Sequence, residues 1–478
     1  MFILRKILCF LCILSTVHSY AQVYLSDYYK ITTIPKENLN QMPGITPIYD
    51  VDVYYIQYHT TDAGNHSVLA SGAFMLPVTD SCNQFPLVSF QHGTVLRKAD
   101  VPSRNNSEAI VGQLFATVGY VAAMPDYLGL GDSPGLHPYL HAETEAKATI
   151  DLLRACRELM NDTLNISDNG QLFLAGYSQG GHATMATHKY IEDNKLTTEF
   201  NITASAPGAG PYDLSGAQAE MVFLNPAYPR QGYIIYLLFA FNNVYQNMFS
   251  NPSEVLKPPY DVSIPPYLNG NYNMTQLNNA LPDSLHEYLQ DSVYQMLLDH
   301  YTKTHPVFQN LALNDNYDWK PLAPLRMLYC QSDEQVSYLN SVNALQHMQA
   351  NGAIDVQAIN LNTNGTHGSC TGPALLFMMN WFNSLMIPCN NTSHTEEMNT
   401  AEIKLNPNPT NGKLAIEGLL QTDEIKIFNT LGILIMSIKT PSEETYNLDL
   451  THLQTGIYII KLVRNNNILR NFKLIINK

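Results

Sequence analysis

One serine of the chain lies in the setting that a nucleophilic serine requires. Ser178 stands in GYSQGG, with Gly176 before it and Gly180 and Gly181 after it. The preceding apolar segment QLFLA predicts a strand, and the following HATMATHKYIED predicts a helix. A tight turn between strand and helix presents the serine oxygen at the edge of a sheet, where a neighbouring base takes its proton. Ser178 is therefore the predicted nucleophile, against the alternative of a serine in an ordinary glycine-rich loop.

Such a serine needs a histidine as its base and an acid that orients the histidine. His367 is the predicted base, because it lies in the glycine-containing loop TNGTHGSC directly after the last predicted strand of the α/β pattern. Most other histidines lie in helical patterns or in an irregular segment. Asp333 is the predicted acid, because it ends the strand-like segment LYCQSD. The nearby alternatives are Asp315, Asp318 and Glu334, and Asp333 could instead cap the helix that follows.

The tetrahedral intermediate of acyl transfer carries an oxyanion that backbone donors must stabilise. The N–H of Gln179, directly after the nucleophile, is one predicted donor. The other is predicted in the loop QHGTV after the strand FPLVSF, where Gly93 or Thr94 is the candidate. His92 in the same loop is predicted to be structural, holding the loop by hydrogen bonds.

The sequence predicts neither a metal nor an organic cofactor. His137 and His141 have the spacing of a zinc pair, but Pro138 interrupts a helix there and no catalytic glutamate lies between them. GLGDSPG lacks the Gly-x-Gly-x-x-Gly spacing of a dinucleotide site. Residues 22–402 carry 35 acidic and 15 basic side chains, a net charge of −20, which argues against nucleic acid as a partner.

The order of the predicted elements indicates an α/β fold. A hairpin over residues 48–77 is followed by strand and helix patterns that alternate from FPLVSF to NITASAPGAG. Crossovers of this kind imply a mostly parallel sheet flanked by helices. Residues 211–320 interrupt the alternation, are rich in Tyr, Asn and Pro, and include a helix-like run at 284–301. Because this segment is too long for a loop, we predict an inserted cap subdomain.

The two ends of the chain differ from this central domain, which is predicted at residues 22–388. Residues 1–21 combine a basic start, a short apolar run and small residues, which predicts a secretory signal peptide. No later segment has the about 20 apolar residues of a membrane span. A polar linker is predicted at 389–402, and residues 403–478 consist of short β-branched segments between glycine turns, which predicts a small β-sandwich.

The order Ser178, Asp333, His367 on this pattern resembles the α/β-hydrolase superfamily over residues 48–388. Within it, PDYLGLGDSPG before a long helix, GYSQGG and a large insertion after the sixth predicted strand resemble the secretory lipase family of serine esterases. The resemblance implies hydrolysis of a small-molecule or lipid ester through an acyl-enzyme, with the insertion as a cap over the acyl pocket. The apolar run YIIYLLFAF at 233–241 would bind an acyl chain or a lipid surface, or form a plain buried helix.

The C-terminal segment resembles the type A sorting domain of the type IX secretion system of Bacteroidota. Its motifs occur in order as LNPNPTNGKLAIEG, IKIFNTLGILI, LQTGIYIIKLV and FKLIINK. That resemblance implies a partner in the type IX secretion machinery, carriage across the outer membrane and removal of the tail, with release or attachment at the cell surface. The alternative is a small carbohydrate-binding or spacer β-domain.

Two other functions stay open at this point. A serine peptidase would use the same triad on the same fold. Too few residues precede the hydrolase core for the N-terminal propeller of prolyl-oligopeptidase-like enzymes, but a cap-bearing aminopeptidase fits. The other alternative, from a different class, is a non-catalytic surface-binding module on a hydrolase frame.

Cysteine usage leaves the disulfide pairing open. Five cysteines follow the predicted signal peptide, namely Cys82, Cys156, Cys330, Cys370 and Cys389. Their number is odd, so at least one is unpaired within the chain. One or two disulfides suit an oxidising compartment.

Overall fold

The computed structural model describes residues 23–40, 44–225, 228–299, 302–389, 404–417, 423–429, 434–439, 445–464 and 467–478. The strands of the central domain are β1 (Leu25–Ile34), β2 (Val51–Thr61), β3 (Ser67–Pro77), β4 (Gln84–Gln91), β5 (Val121–Pro125), β6 (Ser167–Tyr177), β7 (Ile202–Gly208), β8 (Leu325–Cys330) and β9 (Val356–Asn362). Its helices are α1 (Ile110–Thr117), α2 (Ala142–Leu159), α3 (Gln179–Asp193), α4 (Ala219–Phe223), α5 (Gln231–Tyr245), α6 (Tyr260–Ser263), α7 (Met274–Asn279), α8 (Leu285–Tyr288), α9 (Asp291–Leu298), α10 (Pro306–Ala312), α11 (Leu339–Ala350) and α12 (His367–Leu385). The C-terminal strands are β10 (Lys404–Asn406), β11 (Lys413–Glu417), β12 (Asp423–Asn429), β13 (Leu434–Lys439), β14 (Thr445–Asp449), β15 (Gly456–Arg464) and β16 (Asn467–Ile476).

A nine-stranded sheet runs through the described part of the central domain, in the order β1-β2-β3-β5-β4-β6-β7-β8-β9. The first three strands pair antiparallel, as the predicted hairpin requires, and β3 pairs antiparallel with β5. From β5 across to β9, neighbouring strands are parallel. The predicted α/β-hydrolase fold with a mostly parallel sheet is confirmed.

Strand β1 is an addition to the predicted fold. Its sequence LSDYYKITTI is mostly exposed and lacks a regular alternation of apolar and polar residues, so periodicity does not identify it as a strand. It pairs with β2 at the edge of the sheet, where the rings of Tyr29 and Tyr55 stack with centroids 4.7 Å apart. The insertion consequently follows the seventh strand of the structure, not the sixth.

Helices cover both faces of the sheet. Helices α1 and α12 pack on one face, where Phe115 and Phe382 form an aromatic cluster with Phe173 of β6. Helices α2 and α3 pack on the other face, with Leu152 and Ile191 in the core beneath β2 and β4. Strands β4 and β5 are therefore buried along nearly their whole length, which explains their continuous apolar runs.

The segment between β7 and β8 forms helices α4 to α10, which share a core of their own. Ile235, Leu238 and Phe241 of α5 are fully buried in that core, so the run at 233–241 is for most of its length a buried helix. The helix-like run at 284–301 is wrong as a single element. It breaks where Leu289 forms a bridge to Leu256 between α8 and α9.

The C-terminal strands form two antiparallel sheets, β10-β11-β14 and β13-β12-β15-β16. Side chains from both sheets share one core, in which Ile416 and Leu448 meet Ile427, Ile460 and Leu474. Two sheets that bury one common layer are a sandwich. The predicted small all-β domain is confirmed.

The structure pairs four of the five cysteines. Cys82 is bonded to Cys389 and Cys330 to Cys370, while Cys156 is free and buried. This pairing accounts for the odd number of cysteines after the predicted signal peptide.

Two predicted segments fall wholly or mostly outside the described residues. They are the signal peptide at 1–21 and the linker at 389–402, of which the structure describes only Cys389. Among the helices within the described ranges, none combines the length and the apolar character that crossing a bilayer requires.

Candidate active site

Ser178 lies on a turn that holds its backbone in a rarely populated conformation. Strand β6 ends at Tyr177, α3 begins at Gln179, and Ser178 between them has φ 61° and ψ −122°. Such a conformation costs a non-glycine residue about 1–3 kcal/mol. Ser178 N donates to Gly208 O at 2.9 Å, and Ser178 O accepts from Gly181 N at 2.9 Å. This turn projects the serine side chain from the edge of the sheet.

Two glycines of GYSQGG allow neighbouring backbone to approach the turn. A Cβ atom on Gly180 would lie 1.9 Å from Gln91 O, and one on Gly181 would lie 2.3 Å from Gly208 O. Neither position has room for a side chain. Helix α3 therefore packs directly against the ends of β4 and β7, which fixes the direction in which Ser178 points.

Asp333 and His367 meet at the same edge of the sheet. Asp333 follows β8 and His367 begins α12 after β9, and these two strands pair in parallel. Asp333 Oδ2 lies 2.7 Å from His367 Nδ1, and both side chains are largely buried. Asp333 Oδ1 accepts from the backbone N–H groups of Gln335 and Val336, both at 2.9 Å. The carboxylate thus contacts the imidazole and also caps the turn after β8.

The backbone of His367 is held on both sides. Glu334 Oε2 accepts from His367 N at 3.0 Å, and the Tyr177 hydroxyl donates to His367 O at 2.7 Å. The rings of Tyr177 and His367 lie with centroids 5.1 Å apart. Because Tyr177 directly precedes Ser178, one side chain connects the serine turn to the histidine. Glu334, weighed as an alternative acid, therefore contacts the backbone of the histidine.

The other two alternative acids have partners elsewhere. Asp315 accepts from the N–H and the hydroxyl of Ser215 at 3.0 and 2.6 Å, and its burial raises its pKa to about 6. Asp318 accepts from Asn351 Nδ2 at 2.8 Å and lies 3.3 Å from His347 Nδ1 at the surface.

The loop after β4 adjoins the serine turn. A Cβ atom on Gly93 would lie 3.6 Å from Tyr177 O and 4.0 Å from the Cβ of Ser178, so Gly93 is a direct neighbour of Ser178. Thr94 Oγ1 lies 3.0 Å from the Tyr139 hydroxyl. Of the two candidates for the second oxyanion donor, Gly93 is thus in contact with the turn, whereas the side chain of Thr94 contacts Tyr139.

His92 in that loop is buried among backbone carbonyls. Its Nδ1 lies 2.7 Å from Gly93 O and its Nε2 lies 3.4 Å from Asp126 O. Burial lowers the pKa of His92 to about 4. These contacts fit the structural role predicted for it.

A buried polar network lies beneath the serine turn. Gln179 Nε2 donates to Glu145 Oε1 at 2.9 Å and lies 2.7 Å from His137 Nε2. Glu145 Oε2 lies 2.7 Å from His182 Nδ1, and His182 Nε2 lies 3.1 Å from Asn314 O. All five residues are almost completely buried. The side chain of the residue that follows Ser178 is thus anchored to α2 and to the loop before it.

The tautomer of His137 follows from its neighbours. Its Nδ1 lies 2.7 Å from Leu128 O, a group that only accepts, so Nδ1 carries the proton and Nε2 accepts from Gln179. Burial lowers the pKa of His137 to about 3, which keeps the ring neutral. His141, the other member of the rejected zinc pair, instead caps α2 by accepting from Thr144 N.

Sequence reasoning missed this network, although one signal pointed to it. Glu145 lies on the face of α2 that also carries Ala148, Thr149 and Leu152, all of which are buried. A carboxylate among residues that face a core needs a specific partner. Its position therefore indicated a buried polar contact, but not which side chains would supply it.

A pocket opens beside Ser178, between the serine turn and the inserted helices. It encloses about 570 Å³ including its open mouth. Tyr233, Ile234 and Leu237 of α5 form one wall. The remaining lining residues are mostly apolar and include Tyr139, Leu140, Pro211, Leu214, Ala219, Val222, Phe223, Leu311 and Val336, with Ser178 and Gln179 at the turn.

Two family models match the chain. Residues 105–235, which include Ser178 and part of α5, match the secretory lipase family model. Residues 404–477 match the model of the secretion system C-terminal sorting domain. Both resemblances stated from the sequence are confirmed. No curated protein sequence is significantly similar to this chain.

Solved structures of hydrolases share the fold of the central domain. A Legionella pneumophila protein with a proposed hydrolase function is 28% identical, with a TM-score of 0.70 over 76% of this chain and 98% of that protein. The rice cell wall degrading esterase LipA from Xanthomonas oryzae is 28% identical, with a TM-score of 0.67 over 74% of this chain and 94% of the esterase. This chain is a hydrolase of the lipase/esterase type. Candida antarctica lipase A, at 18% identity and a TM-score of 0.55 over 74% of this chain and 79% of the lipase, shares the fold with this hydrolase.

The sorting domain indicates where the hydrolase works. A secretory lipase match and a type IX C-terminal sorting domain together mark a protein that is exported to the cell surface or beyond it.

Removal of the buried carboxylate of Glu145 is expected to destabilise the hydrolase strongly. Glu145→Ala removes the acceptor of His182 Nδ1 and one of the two acceptors of Gln179 Nε2 in a buried site, a loss of about 3 kcal/mol or more. Glu143→Ala on the same helix is the matched control, because Glu143 is half exposed and, within the part of the chain that the structure describes, forms an ion pair with Lys147 alone, a contact worth about 0.5 kcal/mol or less. Urea unfolding of both variants measures the difference, and equal losses would contradict the assigned network.

Acid is expected to destabilise the fold through His137. Its folded pKa of about 3 lies below the ordinary value of 6.5, so between these values the unfolded chain binds a proton that the folded chain excludes. The free energy of unfolding therefore decreases as pH falls through this window, by up to about 1.4 kcal/mol per pH unit for this group. In His137→Gln the decrease in urea midpoint from about pH 6 to about pH 4 should be smaller than in the wild type. His347→Gln at the surface serves as the control, and identical pH dependence in His137→Gln and wild type would refute the assignment.

Proposed function

We propose that the chain is a serine ester hydrolase with Ser178 as nucleophile, His367 as base and Asp333 as the acid that orients the base. The observation that carries this proposal is the 2.7 Å contact between Asp333 Oδ2 and His367 Nδ1. It lies at the sheet edge where Ser178 occupies its turn with positive φ. With Nδ1 donating to a carboxylate, Nε2 of the imidazole is the nitrogen left to accept a proton.

The reaction follows from these roles in two steps. Ser178 Oγ attacks the acyl carbonyl carbon while its proton passes to His367, and His367 then gives that proton to the leaving alcohol, which leaves Ser178 acylated. A water molecule next attacks the acyl carbon and gives a proton to His367. Collapse of the second tetrahedral intermediate returns this proton to Ser178 and releases the carboxylic acid. Asp333 stabilises the imidazolium in both steps.

We assign stabilisation of the oxyanion in each tetrahedral intermediate to two donors, the backbone N–H of Gln179 and that of Gly93 or Thr94. Helix α3 begins at Gln179, so the first donor also lies at the positive end of a helix dipole. Contact between Gly93 and Ser178 supports the loop after β4 as the source of the second donor. Loss of one such donor typically lowers the rate by about 100-fold to 1,000-fold.

The pocket between the serine turn and the inserted helices is the proposed acyl site. Its mostly apolar lining suits the hydrocarbon part of a small-molecule or lipid ester. We accordingly assign residues 211–320 as the cap of a hydrolase domain at 22–388. In this role α5 contributes Tyr233, Ile234 and Leu237 to the acyl site while its other faces remain in the core of the cap.

Both ends of the chain are assigned roles in export of the enzyme. The signal peptide at 1–21 starts export, and the domain at 403–478, after the linker at 389–402, engages the type IX secretion machinery. The match to the sorting domain supports that partner. The enzyme then hydrolyses its ester substrate outside the cell or at the cell surface.

Substitution of the proposed nucleophile is expected to abolish ester hydrolysis. Ser178→Ala should lower kcat on nitrophenyl esters by about 10⁴-fold or more, and Asp333→Asn by about 10⁴-fold. Ser205→Ala is the control, because the Ser205 hydroxyl is buried and makes no hydrogen bond within the described residues. Assays use purified protein and esters of increasing chain length beside aminoacyl nitroanilides.

Three outcomes of this assay decide between the functions. Ester cleavage that survives in Ser178→Ala would refute the nucleophile. Preference for the anilides would assign the chain to the peptidases. No cleavage of either substrate by the wild type would favour a surface-binding module.

A further inference from the structure

A disulfide joins the two segments that carry Asp333 and His367. Cys330 is the last residue of β8 and precedes Asp333 by three positions, whereas Cys370 lies in the first turn of α12 and follows His367 by three positions. The Cα atoms of the bonded cysteines are 6.0 Å apart. The disulfide therefore closes a small ring whose other link is the hydrogen bond between Asp333 and His367.

Weaker contacts also cross this junction, in addition to the hydrogen bond from His367 N to Glu334. Ser332 Oγ donates to Thr363 O at 2.8 Å, and Gln331 N donates to Asn362 O at 3.2 Å. The residues of the first contact are exposed, where water competes for the same groups and the net contribution of a hydrogen bond is small. The covalent bond is thus the strongest restraint on movement of one segment relative to the other.

The disulfide is buried and closely surrounded. Cys330 is 0% and Cys370 is 1% exposed. Gly365 passes so near that a Cβ atom on it would lie 2.8 Å from Cys330 Sγ. Attack by an external thiol needs access to a sulfur atom, so this disulfide is a permanent restraint and not a reversible switch.

The rate of proton transfer depends on the relative position of the acid and base, which a disulfide between their two segments restrains. Connecting segments are the more mobile parts of a domain. Asp333 lies on the segment after β8, and His367 is the first residue of the helix that follows the segment after β9. A displacement of about 1 Å between reacting groups can cost about 100-fold in rate. A link across both segments limits that displacement directly.

We propose that the Cys330–Cys370 disulfide is a positioning device for the acid and base, with both cysteines as positioning residues for ester hydrolysis. This inference rests on the proposed function, because it takes Asp333 and His367 as the orienting acid and the base.

The second disulfide is a matched control within the same chain. Cys82 lies two residues before β4, at the sheet edge opposite Ser178, and Cys389 lies beyond the end of α12. The sequence separation of Cys82 and Cys389 is 307, whereas that of Cys330 and Cys370 is 40. In the loop-entropy account, loss of the disulfide that closes the longer loop decreases global stability more. Loss of Cys82–Cys389 should therefore have the larger effect on stability, whereas loss of Cys330–Cys370 should have the larger effect on catalysis.

The test compares C330A/C370A with C82A/C389A on a short-chain nitrophenyl ester, at a temperature where circular dichroism shows both to be folded. In C330A/C370A we expect kcat to fall by about 10-fold to 100-fold. The low-field proton resonance of the imidazole N–H between His367 and Asp333 should broaden or disappear in the same variant. C82A/C389A should keep that resonance and a kcat within about twofold of wild type, although its Tm should decrease more.

Several results would overturn the inference. A folded C330A/C370A with wild-type kcat and an intact resonance would refute it, and so would equal losses of kcat in both variants. If the alanine pair does not fold, C330S/C370S, whose hydroxyls can bond to each other in the buried site, is judged by the same criteria. Ser178→Ala measured in parallel separates the two claims, because ester hydrolysis that survives in it refutes the proposed function whatever the disulfide variants show.

Discussion

The hydrogen bond between Asp333 and His367 joins residues 34 positions apart, and most of the surrounding structure serves to keep it in place. Parallel pairing of β8 with β9 brings the ends of both strands to one edge of the sheet. Glu334 holds the N–H of His367, and Tyr177 holds its carbonyl. Because Tyr177 is also the last residue of β6, the same contacts connect the acid and base to the serine turn. A shift of any one of these strand ends would disturb all three proposed catalytic groups.

The polar network under the turn gives the other side of the site its rigidity. Glu145 pairs with His182 and holds the Gln179 side chain, so the residue proposed as the first oxyanion donor is anchored in the core. Burying these groups is costly unless they find partners, and the bonds of Glu145 to both Gln179 and His182 supply them for three of the buried side chains. The strained backbone of Ser178 persists because the surrounding packing, with Gly180 against Gln91 and Gly181 against Gly208, leaves it no alternative.

The sequence predicted the parts of the site that depend on strand ends. Ser178, Asp333 and His367 each follow a recognisable strand, and ends of parallel strands meet at one edge, so their proximity could be inferred without coordinates. The contacts of Glu334, Tyr177 and Glu145 could not, because they depend on side-chain directions that periodicity does not encode. Strand β1 was missed because it is exposed and irregular, and its pairing with β2 decides its conformation. The disulfide pairing could not be predicted, because the bonded cysteines are distant along the chain.

In the proposed reaction Ser178 forms a covalent acyl intermediate. The most direct measurement is active-site labelling with an alkyl fluorophosphonate, which transfers its phosphoryl group to an activated serine and releases fluoride, followed by mass spectrometry of the digested protein. We expect one label per chain, on the peptide that contains Ser178, with loss of ester hydrolysis in proportion to labelling. Inactivation with the label on another residue, or full hydrolysis with Ser178 completely labelled, would contradict the account.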